Sequence, residues 1–278
     1  MRAVLTKSVL AGALGLASLG FGSSAFSAVI QTPDGPRSPF GGFDWNPAGQ
    51  AVSTGVIGGD IQSTYWGNAV GVYDTGQQTF ALPNLVPPTG GTYEYTLLAN
   101  ISETSVCINP VPGGCLSANF FATGGTYTIY FDTTADADLV TGAGITDGVP
   151  IITGSIIPGF AGNFTATGGP PPTGGAGVFT FNGTVDFTDT TYINPALLAS
   201  ISTFTLQFGS TAGPSFIFAS NLPGAGGASG GLIPEGALQF RADGNTDFTS
   251  RAIPEPGSLT LAGLGILLAG FGLRSRKK

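Results

Sequence analysis

Apolar and polar residues alternate with a period of two along several stretches of the chain. Phe179, Phe181, Val185 and Phe187 are set against Thr180, Asn182, Thr184, Asp186 and Thr188, the pattern of a strand buried on one face. Tyr93, Tyr95, Leu97, Ala99 and Ile101 alternate with Glu94, Thr96, Leu98 and Asn100, and Phe204, Leu206 and Phe208 alternate with Thr205 and Gln207. Tyr127, Ile129 and Phe131 make a fourth run. Proline and glycine punctuate these runs at Pro87–Gly91, Pro110–Gly114 and Gly168–Gly177, where they impose turns. A sustained period of 3.6 is absent, the one short exception being Pro195 to Ser200. The pattern predicts an all-β fold, an antiparallel β-sandwich of jelly-roll or similar layout. No fixed-period repeat supports a solenoid or a propeller.

The two ends read differently. Arg2 and Lys7 precede an apolar stretch from Val9 to Phe21 and then small residues, the order of a secretory signal helix. Cleavage after Ser27 fits the small-x-small rule, and Ala25 is a second choice, so residues 1–27 are assigned to the signal. At the other end an apolar run from Leu259 to Leu273 is followed by Arg274, Arg276, Lys277 and Lys278. Counted from Gly257, a helix over this run extends about 25 Å, near the lower limit for a transmembrane helix. The basic cluster belongs on the cytoplasmic side, since Lys and Arg resist translocation. Between the ends the expected organisation is a β-rich extracytoplasmic domain over 28–240, with a Gly-rich linker at Gly224–Gly231, a polar stalk over 241–253 and a membrane tail over 254–278.

Composition narrows the function. Glycine and proline, 46 and 20 of 278 residues, approach levels seen in disordered chains. Twenty Phe, seven Tyr and a positive mean hydropathy argue instead for a packed core. Between Arg37 and Arg241 the chain has no Lys, Arg or His yet carries twelve carboxylates. From Ala28 to Arg251 there are 15 acidic and 3 basic residues, a net charge of −12. Nucleic acid is excluded as a partner, because its binding requires neutralisation of phosphates. The absence of His from the whole chain removes Ser-His-Asp and Cys-His machinery and every His-ligated metal site. The expectation is therefore a non-catalytic protein.

Ile253-Pro254-Glu255-Pro256-Gly257-Ser258, the short apolar span and the terminal basic cluster together resemble the PEP-CTERM sorting signal of Gram-negative bacteria. The resemblance implies Sec export, an inner-membrane-anchored precursor, and processing by an exosortase that recognises Pro254, Glu255 and Pro256. Two prolines hold this segment extended, as protease recognition requires; the alternative is an ordinary single-pass anchor with a rigid stalk. The stretches Tyr127–Asp132, Thr141–Gly148 and Phe43–Pro47 are similar to flocculation-associated PEP-CTERM proteins. That likeness implies a cell-surface protein working with extracellular polysaccharide in flocs or biofilm.

Three further groups are candidates for sites. Cys107 and Cys115, the only cysteines, are expected to form a disulfide in an oxidising compartment, against two free thiols or half a metal site. Asp132, Asp136, Asp138 and Asp147 form the densest carboxylate cluster and offer oxygen ligands for calcium, or a solvated acidic loop. Trp45, Tyr65 and Trp66, near Tyr73, offer flat faces for glycan stacking, with Asn68 and Asp74 beside them, or else core packing. A secreted carbohydrate-binding module, calcium-dependent or not, is thus the second functional reading. A secreted glycan hydrolase is the third, since any two carboxylates at suitable separation could act as its acid and base.

Overall fold

The computed structural model describes residues 28–55, 57–87, 90–112, 114–167, 174–197, 201–208, 217–218 and 238–249. The signal over 1–27, the linker at 224–231 and the tail over 254–278, with Pro254, Glu255 and Pro256, lie outside the described residues. So does the end of the Pro195–Ser200 turn.

Among the described residues, alternating aromatic and β-branched side chains produce fourteen strands. They are β1 (Val29–Ile30), β2 (Phe40–Gly55), β3 (Asp60–Asp74), β4 (Glu94–Cys107), β5 (Pro110–Val111), β6 (Gly114–Cys115) and β7 (Ser117–Asp132). After these come β8 (Val149–Ile156), β9 (Gly159–Thr167), β10 (Gly174–Thr188), β11 (Ile193–Asn194), β12 (Ile201–Phe208), β13 (Ile217–Phe218) and β14 (Leu238–Thr249). Among the described residues none is helical.

The long strands pair in the order β12-β10-β8-β7-β4-β3-β2-β14, and β12 also pairs with β14 from Ile201↔Thr249 to Phe208↔Ala242. The sheet therefore closes on itself. β8 and β9 both run antiparallel to β7 and to β10, end to end, so they act as one strand broken at Ile157-Pro158. Counted this way, each strand of the circuit pairs with its neighbours in sequence, an up-and-down antiparallel barrel. The all-β, antiparallel expectation holds, but one closed sheet replaces the two faced sheets of a sandwich. Closure removes the exposed sheet edges that a sandwich keeps.

Strand β14 also corrects the expected stalk. Residues 241–249 are not a spacer: they pair with β2 on one side and β12 on the other. Ala242 and Thr246 are fully buried and Phe248 nearly so. Inward Ala242, Gly244, Thr246 and Phe248 alternate with outward polar residues, so the segment reads as polar while behaving as a barrel strand. Two side chains fasten this seam. Trp45 Nε1 donates to Thr246 Oγ1 at 2.7 Å, and the Tyr73 hydroxyl lies 2.8 Å from the Thr246 carbonyl and 2.9 Å from Asp247 Oδ1.

β-Bulges decide which face a residue takes, because one extra residue reverses the in-out alternation. In β7 the pairing shifts between Ser102↔Gly124 and Glu103↔Ala122. Ala118, Phe120 and Ala122 point inward before the shift, and Tyr127, Ile129 and Phe131 after it. In β10 a shift between Val185 and Phe187 turns Phe187 outward, 46% exposed. Its expected place in the buried row with Phe179, Phe181 and Val185 is thereby corrected.

The interior is aromatic. Phe43 lies 5.2 Å from both Trp45 and Tyr95, and Tyr127 meets Phe204 edge-on at 4.5 Å. Beside this core the short β1–β11 pair packs Ile30 and Ile193 inward, and Asp34 ties the segment down by accepting from the Tyr93 hydroxyl at 2.9 Å and Asn84 Nδ2 at 2.6 Å.

Candidate functional site

Side chains do not fill the barrel throughout. Toward the ends of β2 and β4, a cavity of about 60 Å3 is lined by Ala51, Ile61, Ile101, Phe120, Phe181 and Leu206, among others. Ser53, Ser63, Tyr65 and Glu103 are the polar residues of this lining. Their placement follows from strand parity: Glu103 continues the inward row Tyr95, Leu97, Ala99 and Ile101 of β4, and Ser63 lies between inward Ile61 and Tyr65 on β3.

Glu103 is 3% exposed. Its Oε2 accepts from Ser63 Oγ at 2.8 Å, and Ser63 Oγ is itself 2.8 Å from Ser53 Oγ. Its Oε1 is buried without a partner. Burial pushes the carboxyl pKa up to about 7, and the Ser63 hydrogen bond offsets this in part. The Tyr65 hydroxyl is likewise buried and unpartnered, and desolvation raises its pKa well above the ordinary phenol value. Gly49 and Gly67 make room for that hydroxyl, since a Cβ at either would stand 2.7 or 2.8 Å from the oxygen.

A second assembly lies on the outer wall. The segment 133–148, between β7 and β8, folds back over outward-facing Trp66, Leu98 and Val52 and covers them with Ala137, Leu139 and Ile145. Three side chains strap it down through four hydrogen bonds. Trp66 Nε1 donates to the Leu139 carbonyl at 2.9 Å, and Thr96 Oγ1 to the Ile145 carbonyl at 2.6 Å. Glu94 Oε1 accepts from the backbone N–H groups of Asp136 and Ala137 at 2.9 and 2.8 Å. Burial raises the Glu94 pKa to about 7 against these hydrogen bonds, which pull it down.

The strap places carboxylate oxygens of Asp132, Asp136 and Asp147 within 4.8 Å of one another. Asp138 does not join them. It closes a turn by accepting from the Val140 N–H at 2.8 Å, and hydrogen bonds from Thr141 and Val140 lower its pKa. Asp147 shifts upward through desolvation and the neighbouring Asp136 and Asp132. Three of the four expected calcium ligands are thus brought together.

The expected glycan contacts are placed differently. Trp45, Tyr65 and Trp66 are 0, 1 and 0% exposed, so none presents a face to a sugar. Trp45 and Tyr65 belong to the interior, while Trp66 is the anchor of the strap. Cys107 and Cys115 form the expected disulfide, with Cα atoms 5.9 Å apart, across the β5–β6 hairpin that follows β4. Sequence reading missed Glu103, Ser63 and Glu94. The alternation of β4 carried the signal: extending the row from Tyr95 to Ile101 by one step puts a carboxylate inside.

Fold and chamber together define a closed antiparallel meander barrel with a small, mostly apolar interior cavity. At the end of the chain, the family described as the PEP-CTERM protein-sorting motif matches residues 252–277. The chain therefore carries a PEP-CTERM protein-sorting motif over these residues. The motif supports an exported chain, anchored at the membrane until an exosortase cleaves it. No curated protein and no solved structure matches the chain. Among the described residues no helix is long and apolar enough to cross a membrane.

Proposed function

We propose that this chain is a non-catalytic surface or matrix protein, delivered by exosortase processing to the outside of a Gram-negative cell, where the barrel associates with extracellular polysaccharide in flocs or biofilm. The sorting motif at 252–277 carries the reading. The outer barrel wall supports it. Thr180, Asn182 and Thr184 project from β10 into solvent, beside Thr203 and Thr205 of β12, a polar row suited to sugar hydroxyls. Chemistry of the two buried glutamates argues against a hydrolase. Glu94 and Glu103 lie nine residues apart on β4, roughly 30 Å along a strand, and face opposite sides of the wall. Glycosidase carboxylates work at about 5–10 Å.

The test is cosedimentation of the processed protein with the host's own exopolysaccharide, beside aggregation of a deletion strain. Binding, together with loss of flocs in the deletion strain, supports the role; a protein that stays in solution and a strain that aggregates normally refute it.

A second reading, a carbohydrate-binding module that uses calcium, draws on the three gathered carboxylates. Oxygen donors of this kind suit a hard cation, and the strap pre-positions them. Sugar binding abolished by EDTA and restored by calcium would favour it.

A further inference from the structure

The chamber inside the barrel is separate from the sorting motif, the polar outer row and the acidic strap, and none of these explains it. Its wall is hydrocarbon over most of its extent, with Ile61, Ile101, Phe120, Phe181 and Leu206 facing inward. Into this wall the fold places a carboxyl group with one oxygen satisfied by Ser63 and the other, Oε1, buried and unpartnered. A buried acceptor without a donor is destabilising, and proteins keep such groups where something else supplies the donor. A purely structural interior at this position would be better served by an aliphatic residue continuing the row of Tyr95, Leu97, Ala99 and Ile101.

We infer that the chamber binds a short amphiphile whose head donates a hydrogen bond to Glu103 Oε1 while its apolar body lies against Ile101, Phe120 and Phe181. The cavity sets the size. On the scale in which one water needs about 10–15 Å3, about 60 Å3 accommodates roughly five heavy atoms. Charge sets the head group. The chamber lining contains no cation, and no Lys, Arg or His occurs between Arg37 and Arg241, so a carboxylate or phosphate would enter against Glu103 and a net negative domain with nothing to pair it. Alcohols and amines meet both conditions. An amine gains an ion pair with Glu103; an alcohol donates to it as a neutral partner.

The experiment titrates the full-length chain, in lipid nanodiscs at pH 8.5, above the Glu103 pKa of about 7 so that the carboxylate is ionised, with 13C-labelled isoleucine methyl groups, with butan-1-ol, butylamine and butyrate. Butan-1-ol and butylamine are expected to shift the methyl signals of Ile61 and Ile101 saturably, leaving those of Ile30 and Ile193 in place. Butyrate should bind at least about tenfold more weakly. Glu103→Gln keeps the Ser63 contact and the cavity volume; it should weaken butylamine about tenfold or more and butan-1-ol less than threefold. Ala51→Leu, which fills the cavity, should abolish both, with the dispersion of the Ile30 and Ile193 signals reporting that the barrel remains folded. If Ala51→Leu fails to fold, Glu103→Gln alone decides the head-group claim. Absence of any saturable shift means that the chamber holds water only and overturns the inference. So does butyrate binding as tightly as the alcohol, or a Glu103→Gln variant whose amine affinity is unchanged.

Discussion

Glu103→Gln also tests the electrostatics of the barrel without any ligand. The Glu103 carboxyl has an ordinary value of 4.5 and is raised to about 7 in the fold, with desolvation as the leading cause and no charged neighbour contributing. The folded state therefore holds a proton that the unfolded chain releases between pH 4.5 and 7. Stability from this group is complete below about pH 4.5, declines as the pH rises, and is lost above about 7. A difference of about 2.5 pKa units corresponds to roughly 3 kcal/mol. Glutamine is nearly isosteric, keeps an acceptor for Ser63 Oγ and does not ionise. Urea unfolding of wild type and Glu103→Gln at half-unit steps from pH 4 to 8.5 should give curves that coincide near pH 4 and separate steadily, the variant being about 3 kcal/mol more stable at pH 8. Glu94 titrates over the same range, but it is present in both proteins and cancels in the difference. Curves that run parallel across the whole range would show that Glu103 is solvated in the folded protein, and the description of the chamber would be wrong.

Three other perturbations probe separate parts of the structure. Replacing Cys107 and Cys115 by serine opens the loop closed by the disulfide and should cost about 2–3 kcal/mol in the chain-entropy estimate, read by urea unfolding with and without reductant; equal midpoints would contradict it. Trp66→Ala removes the anchor of segment 133–148 and leaves a cavity under Leu139 and Ile145, with an expected loss of about 3–5 kcal/mol and new protease cleavage confined to that segment. Unchanged protease resistance would mean that the strap is held by Glu94 and Thr96 alone. Calcium at ten times its dissociation constant should stabilise the wild type by about 1.4 kcal/mol and leave an Asp132→Asn, Asp147→Asn double variant unaffected; equal response of the two would remove the calcium reading.

How much of this was legible in the sequence depended on whether local pattern or closure decided the outcome. Strands β4, β10 and β12 and the second half of β7 stood out because their apolar residues alternate without interruption. The first half of β7 did not, because the bulge before Gly124 reverses parity and the two halves read as out of phase. The same effect misplaced Phe187. Closure into a barrel was hidden because it depends on β14, whose inward positions include Gly244 and Thr246; only pairing with β2 and β12 makes small residues there a virtue. The acidic cluster was visible as composition, whereas the exclusion of Asp138 from it was not, since that depends on how Glu94, Thr96 and Trp66 pin the segment. Trp45, Tyr65 and Trp66 illustrate the converse: aromatic residues suited to sugar stacking are also those best suited to a buried core, and residue type alone does not separate the two.

The central claim is sorting, and it has a direct measurement. An internally tagged chain expressed in its native host, beside Glu255→Ala and Pro256→Ala variants, is fractionated and the intact masses of the recovered proteins are determined. The account predicts wild type outside the cell with its mass reduced by the C-terminal segment, and both variants retained in the inner membrane at full tail length. Wild type remaining membrane-bound with its tail intact, indistinguishable from the variants, would contradict it.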